Sequence, residues 1–183
     1  MDYEKLLKTY RKRAIVTDIE LDGKSSFSAV SYGREDIKKL IPHRDPFLLV
    51  DRIAGIDIAE GEETIIAVRH ISADDPVFKG HFPGFPVYPG ALQVEMGGQA
   101  GLCLTYFALN KTHSIAPDAK PVNVRATKVL GALFLEPLFP GKDAKIIAKT
   151  LEYDGYFGTV LTQIISDDKI CTVGIAEVIF LDE

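Results

Sequence analysis

GALQVEMGGQAGLCLTYF, residues 90–107, decides the fold. Its apolar side chains point to nearly every side of a helix: Ala91, Leu92, Val94, Met96, Ala100, Leu102, Cys103, Leu104, Tyr106 and Phe107. A helix that is apolar all round is a buried one. Eighteen residues at the usual rise span roughly 27 Å, enough to cross a domain. Gln93, Glu95 and Gln99 interrupt the stretch, and a membrane span tolerates such groups poorly. The segment therefore reads as a core helix.

Strand-like runs lie on both sides of it. Before it, 47–58 and 62–70 are rich in β-branched residues and separated by a Gly-containing turn. After it come 122–135, 144–153, 156–166 and 170–181, with Asp154-Gly155 and Asp167-Asp168 as turn dipeptides. Short connections favour antiparallel pairing. The expected class is α+β, a curved antiparallel sheet wrapped around one long central helix. Nearer the N-terminus, 3–12 reads as an amphipathic helix and 14–30 as two strands around Asp22-Gly23. Residues 34–41 read as a short helix stopped by Pro42. The expected organisation is an extension over 1–33 packed on a main domain over 34–183. Such a sheet has edge strands, which pairing across a two-fold axis would cover, so a homodimer is expected.

Length and charge bound the function. The 183 residues suit one domain, and a net charge of −5 provides no basic face for nucleic acid. Residues 1–13 are too charged for a secretory signal. Two cysteines, Cys103 and Cys171, sit in apolar contexts, as buried thiols in a reducing, cytoplasmic compartment do. His43, His70, His81 and His113 lack paired metal-ligand spacing.

Chemistry concentrates in Gly80-His81-Phe82-Pro83-Gly84-Phe85-Pro86-Val87-Tyr88-Pro89-Gly90. Three prolines and three glycines fix the backbone path and hold one imidazole just before the helix. Gly90 falls where the helix begins. Its N–H has no internal partner, and no side chain obstructs an approaching carbonyl oxygen. That geometry suits an enolate-like thioester oxygen. Glu95 lies about a turn and a half inside the helix, where burial favours the protonated carboxyl and makes it a proton donor. Gln99 lies on the same face, four residues on, placed to orient that carboxyl. A base, an oxyanion site and an acid together suit proton removal alpha to a carbonyl with loss of a beta leaving group. His43 reads instead as a packing and hydrogen-bonding residue at a strand entrance. Arg44 reads as paired with an acid or a carbonyl, and Asp51-Arg52 as a structural polar contact.

Pro42-His43-Arg44-Asp45-Pro46-Phe47-Leu48-Leu49-Val50-Asp51-Arg52, then Gly80 to Gly84, then Tyr88-Pro89-Gly90-Ala91-Leu92-Gln93-Val94-Glu95, resembles the FabZ-like 3-hydroxyacyl-[acyl-carrier-protein] dehydratases over roughly residues 34–183. The resemblance implies a hotdog fold in homodimers, often trimers of dimers. It implies His81 as catalytic base, Glu95 as catalytic acid from the opposite subunit, and Gly90 as the N–H donor to the thioester carbonyl. Phe82, Tyr88, Pro89 and Gln99 would line or support the substrate tunnel. The substrate would arrive on the phosphopantetheine arm of an acyl carrier protein, with no cofactor or metal. Glu rather than Asp at position 95 points to dehydration without isomerisation.

Departures from the family pattern carry their own expectations. Residues 131–136, usually basic in the family, read Gly-Ala-Leu-Phe-Leu-Glu, leaving Lys120, Arg125 and Lys128 as substitutes for carrier docking. Gly97-Gly98 would widen the tunnel for a bulky chain. Two other functions compete. One is a hotdog thioesterase or enoyl hydratase acting on coenzyme A esters, since the fold hosts both chemistries. The other is a non-catalytic acyl-binding or partner subunit, in which loss of His81 or Glu95 would be expected; both are present.

Overall fold

The computed structural model describes residues 1–17, 24 and 26–181. Among them the elements run α1 (Tyr3–Tyr10), β1 (Phe27–Gly33), α2 (Arg34–Leu40), β2 (Arg52–Asp57), β3 (Thr64–His70), a 3-10 turn (Pro76–Lys79), α3 (Gly90–Asn110), β4 (Val124–Phe134), β5 (Asp143–Tyr153), β6 (Phe157–Ser166) and β7 (Lys169–Phe180). The strands form one seven-stranded sheet in the order β1-β2-β3-β5-β6-β7-β4, every pair antiparallel. The long helix packs on β3, β5, β6 and β7. This is the hotdog arrangement of an α+β protein.

Side-chain alternation sorts the strands into two cores. Ile146 and Ala148 of β5 face α3, together with Ile65, Ala67, Ile164 and Cys171. Ile147 points the other way and joins Ile66, Leu161, Val173 and Ile175. That second face is apolar because the N-terminal segment covers it: Leu7, Ile15 and Val16 are buried there. Gln163, with no exposed surface, fastens the cover. Its Nε2 donates to the carbonyls of Tyr10 (2.7 Å) and Arg13 (2.9 Å), and its Oε1 accepts from the N–H of Ile15 (3.0 Å). A Cβ on Gly131 would lie 2.6 Å from Leu7, so α1 rests directly on β4 there.

Several expectations need correction. Residues 14–17 form no strand. The strand of that region is β1, which pairs with β2 as an edge of the main sheet; the Asp22-Gly23 turn lies outside the described residues. Residues 47–51 are not strand either: the Asp51 N–H reaches the Val68 carbonyl of β3, but side chains take the Phe47 and Leu48 carbonyls and the Leu49 N–H. Gln99 binds the Phe47 carbonyl and the Leu49 N–H. Asp51, expected to make a structural polar contact, receives Arg34 (2.6 Å) and the His70 N–H (2.8 Å). The central helix runs three residues beyond Phe107, to Asn110, and ends on left-handed Lys111. Asp167 and Asp168 both take positive φ, as a two-residue hairpin requires.

The helix is also not covered all round. Along one stripe Ala91 and Leu109 are exposed, and Glu95, Gly98, Leu102 and Thr105 half-buried. Gly97 does not widen a tunnel, because its missing Cβ is where Thr162 sits, 2.7 Å away, drawing α3 onto β6. Gly98, on the open stripe, has nothing within 4 Å of that position.

Candidate active site

Backbone bonds brace the loop that carries His81. The His81 N–H donates to the Val77 carbonyl (3.0 Å), the Val87 N–H returns to the His81 carbonyl (3.0 Å), and Phe82 and Phe85 exchange both of theirs. Gly84 turns the loop with φ +79°. The imidazole is half-buried and stacks on Phe82 with centroids 4.0 Å apart. Its Nδ1 lies 2.8 Å from the Val87 carbonyl. A carbonyl only accepts, so Nδ1 carries the hydrogen and Nε2 is the bare, basic nitrogen.

Pro89 caps α3 with no side-chain bond, so the N–H of Gly90 opens the helix without an internal partner. Gln93, a residue that sequence reasoning did not single out, fixes this end. Its Nε2 donates to the Tyr88 carbonyl (3.2 Å) and its Oε1 accepts from Thr172 of β7 (2.7 Å). A buried glutamine at the fourth helical position was the available signal. The exposed ring of Phe134, at the end of β4, would lie 2.6 Å from any Cβ on Gly90. Tyr88, expected to line or support the tunnel, is buried in the core, edge-on to Phe78. Burial pushes its phenol up from its ordinary value.

Glu95 stands on the open stripe of α3, with its side chain 34% exposed. Gln99 Nε2 donates to its Oε1 at 2.9 Å. Gln99 is itself locked by Phe47 and Leu49, which fixes where its amide points. His43 Nε2 lies 3.3 Å from the same oxygen. His43, expected to be a packing and hydrogen-bonding residue at a strand entrance, thus meets Glu95; sequence spacing gives no sign that residues 43 and 95 meet. Its contact and the Gln99 bond outweigh burial and hold the Glu95 carboxyl below the usual carboxylate range. That reverses the expectation of a neutral Glu95: the group is only half-buried, and two donors favour its charged form.

The single chain leaves His81 and Glu95 with separate partners. His81 bonds Val87, while Glu95 bonds Gln99 and contacts His43. Among the described residues no group of three His, Cys, Asp or Glu is gathered as a metal site would need, and no helix is long and apolar enough to cross a membrane. Arg44 donates to the carbonyls of Lys38, Ile41 and His43. His70 pairs with Asp143 at 2.7 Å, and His113 lies 2.8 Å from the Ser26 carbonyl. The expected docking cations Lys120, Arg125 and Lys128 are all exposed, and Lys128 also contacts Glu177 at 3.2 Å.

A family model described as a FabA-like domain matches residues 41–153. The 3-hydroxyacyl-[acyl-carrier-protein] dehydratase FabZ of Campylobacter concisus is 30% identical over 148 residues, 81% of this chain and 97% of that one. Its counterpart from a Nitratiruptor species is 35% identical over 120 residues, covering 66% and 78%. Among solved structures, the dehydratase heterocomplex ApeI:P from Xenorhabdus doucetiae aligns with a TM-score of 0.58 at 16% identity, over 80% of this chain and 91% of that chain. A homologue of HP0420 from Helicobacter felis aligns with a TM-score of 0.51 at 12% identity, over 81% and 90%. The structural likenesses speak for the fold. The sequence matches go further, and by them the chain belongs to the FabA-like family, in the branch of the FabZ-type 3-hydroxyacyl-[acyl-carrier-protein] dehydratases.

Proposed function

We propose that this protein eliminates water from a 3-hydroxyacyl thioester to give the trans-2-enoyl thioester, in fatty-acid or specialised lipid or polyketide synthesis. The observation that carries the reading is the tautomer of His81: with Nδ1 spent on the Val87 carbonyl, a bare Nε2 stands ready beside a helix that begins with a free N–H. His81 Nε2 takes the C2 proton. The Gly90 N–H steadies the negative charge that builds on the thioester oxygen. Glu95, protonated in the substrate complex, gives its proton to the C3 hydroxyl, which leaves as water. Pro89 fixes the approach to Gly90, Gln99 holds the acid, and Phe82 packs the base. No cofactor is consumed; the acyl chain rides on phosphopantetheine.

The partners follow from the same reading. His81 and Glu95 have separate contacts within one chain, and the stripe bearing Glu95 is open, so a second copy completes each site in a homodimer. Trimers of such dimers are the larger assembly. The carrier is an acyl carrier protein in the cytoplasm, with exposed Lys120 and Arg125 as cationic contacts. Of the extension expected over 1–33, β1 is built into the main sheet, and it is the described segment before it, α1 to Val16, that packs on that sheet as a cover.

The test supplies 3-hydroxyacyl substrates on several carrier proteins and on coenzyme A, and detects the enoyl product by mass spectrometry. His81→Ala and Glu95→Gln should each lower turnover by at least about 100-fold while the assembly persists. Full turnover in either variant would sink the assignment. Release of free acid instead of enoyl thioester would favour the thioesterase reading.

A further inference from the structure

We propose that His43 is a positioning residue for Glu95: its Nε2–H and the amide of Gln99 both hold Oε1, so that Oε2 is the oxygen that carries and delivers the proton. The inference rests on the dehydratase reading and deepens it.

The geometry selects one arrangement. His43 Nε2 lies 3.3 Å from Glu95 Oε1, and Gln99 Nε2 donates to the same Oε1 at 2.9 Å. No hydrogen bond reaches Oε2 among the described residues. Nδ1 of His43 is buried without a partner, so a hydrogen there would point at nothing that accepts it. A hydrogen on Nε2 meets the carboxylate, and the tautomer that makes this contact is the one that suits the site. Phe47 stacks on the ring with centroids 6.4 Å apart, and the Phe47 carbonyl is bonded to Gln99. The loop that carries His43 and the amide that shares its target are therefore tied together.

Other charges near His43 are engaged elsewhere. Arg44 binds the carbonyls of Lys38, Ile41 and His43, and Asp45 pairs with Arg34. From the elements packed against Glu95, His43 and Gln99 act on its carboxyl. With Oε1 occupied, the reaction uses the free oxygen. The Oε2–H bond breaks and its hydrogen joins the C3 oxygen as the C3–O bond breaks. The C2 hydrogen passes to His81 Nε2, and its bonding pair becomes the C2–C3 double bond. Oε1 keeps its donors throughout, so the carboxyl does not swing as it changes charge.

The test compares the wild type with His43→Phe, which keeps a ring and loses the donor, and His43→Gln, which offers an amide donor. Carbon NMR of 13C-labelled glutamate, with the Glu95 signal identified by its loss in Glu95→Gln, reads the carboxyl directly. The pH profile of turnover reads its use. In His43→Phe the Glu95 midpoint should rise and the corresponding limb of the profile should move to higher pH. Its kcat should fall about tenfold, with KM little changed. His43→Gln should recover most of both. An unmoved midpoint in His43→Phe overturns the inference even if turnover falls, and so does a His43→Gln variant that behaves like His43→Phe. Absence of dehydration in the wild type would instead overturn the proposed function, while the NMR titration still decides the contact.

Discussion

Gln163→Leu isolates what holds the N-terminal segment on the sheet. The substitution keeps side-chain size and removes an amide bonded to the Tyr10 carbonyl, the Arg13 carbonyl and the Ile15 N–H. Each such bond is worth about 0.5–1.5 kcal/mol net, so their loss costs about 3 kcal/mol. The apolar contacts of Leu7, Ile15 and Val16 stay, and their burial is worth up to about 1.5–3 kcal/mol each. Apolar burial therefore outweighs the lost bonds, so the segment should remain docked and open more often. About 3 kcal/mol corresponds to a roughly 100-fold rise in the open population. Tryptic cleavage after Arg11, Lys12 and Arg13 should accelerate by that order, and the melting temperature should fall by about 6–12 °C, or less where the segment opens before the rest. Cleavage and melting indistinguishable from the wild type would show that the three bonds do not hold the segment.

Gly97→Ala should cost about 1–3 kcal/mol in urea unfolding, because the new methyl meets Thr162 Cβ at 2.7 Å; an unchanged midpoint would refute close helix–sheet contact there. Gly98→Val fills open space on the stripe beside Glu95, so turnover should fall more for long acyl chains than for short ones, and equal losses across a chain-length series would count against a substrate path there. The Cys103 thiol, fully buried and pushed up to about 12, should resist iodoacetamide in the folded protein and react on unfolding; rapid native alkylation, read by mass, would contradict its burial. The folded Glu95 carboxyl titrates below its ordinary 4.5, so its contribution to stability is complete above that pH and is lost as pH falls through the folded value. Glu95→Gln should therefore flatten the loss of stability below about pH 4.5 in acid melts, and an unchanged slope would refute the shift.

Much of this fold was legible because its signals are local. The β-branched strand-like runs, the Asp154-Gly155 and Asp167-Asp168 turns, and the apolar run of α3 each announce themselves within a few residues. The site was legible where chemistry sits in one segment: His81, Gly90 and Glu95 lie within fifteen residues of chain. What escaped is long-range. The backbone of 47–51 looks like a strand until Gln99 is seen taking its hydrogen bonds from fifty residues away. Gly97 and Gly98 are alike in sequence, yet a β6 side chain fills the space beside one and nothing fills it beside the other. His43 meets Glu95 through the path of the chain after α2, which no periodicity encodes.

The ionised Glu95 of the open chain and the protonated acid of the proposed reaction are reconciled by what covers the stripe. Two donors at Oε1 favour the charge, and burial opposes it. A second copy and an acyl chain laid over Glu95 and Gly98 would remove water from Oε2 without adding a donor, which strengthens the opposing effect alone. Protonation of Glu95 then depends on occupancy of the site. On the proposed mechanism, an empty site would keep a charged, solvated carboxyl pinned by one oxygen, and a filled one would drive the proton onto the oxygen that faces the substrate. In the proposed reaction the acid would then be made where and when a leaving hydroxyl is present to accept its proton.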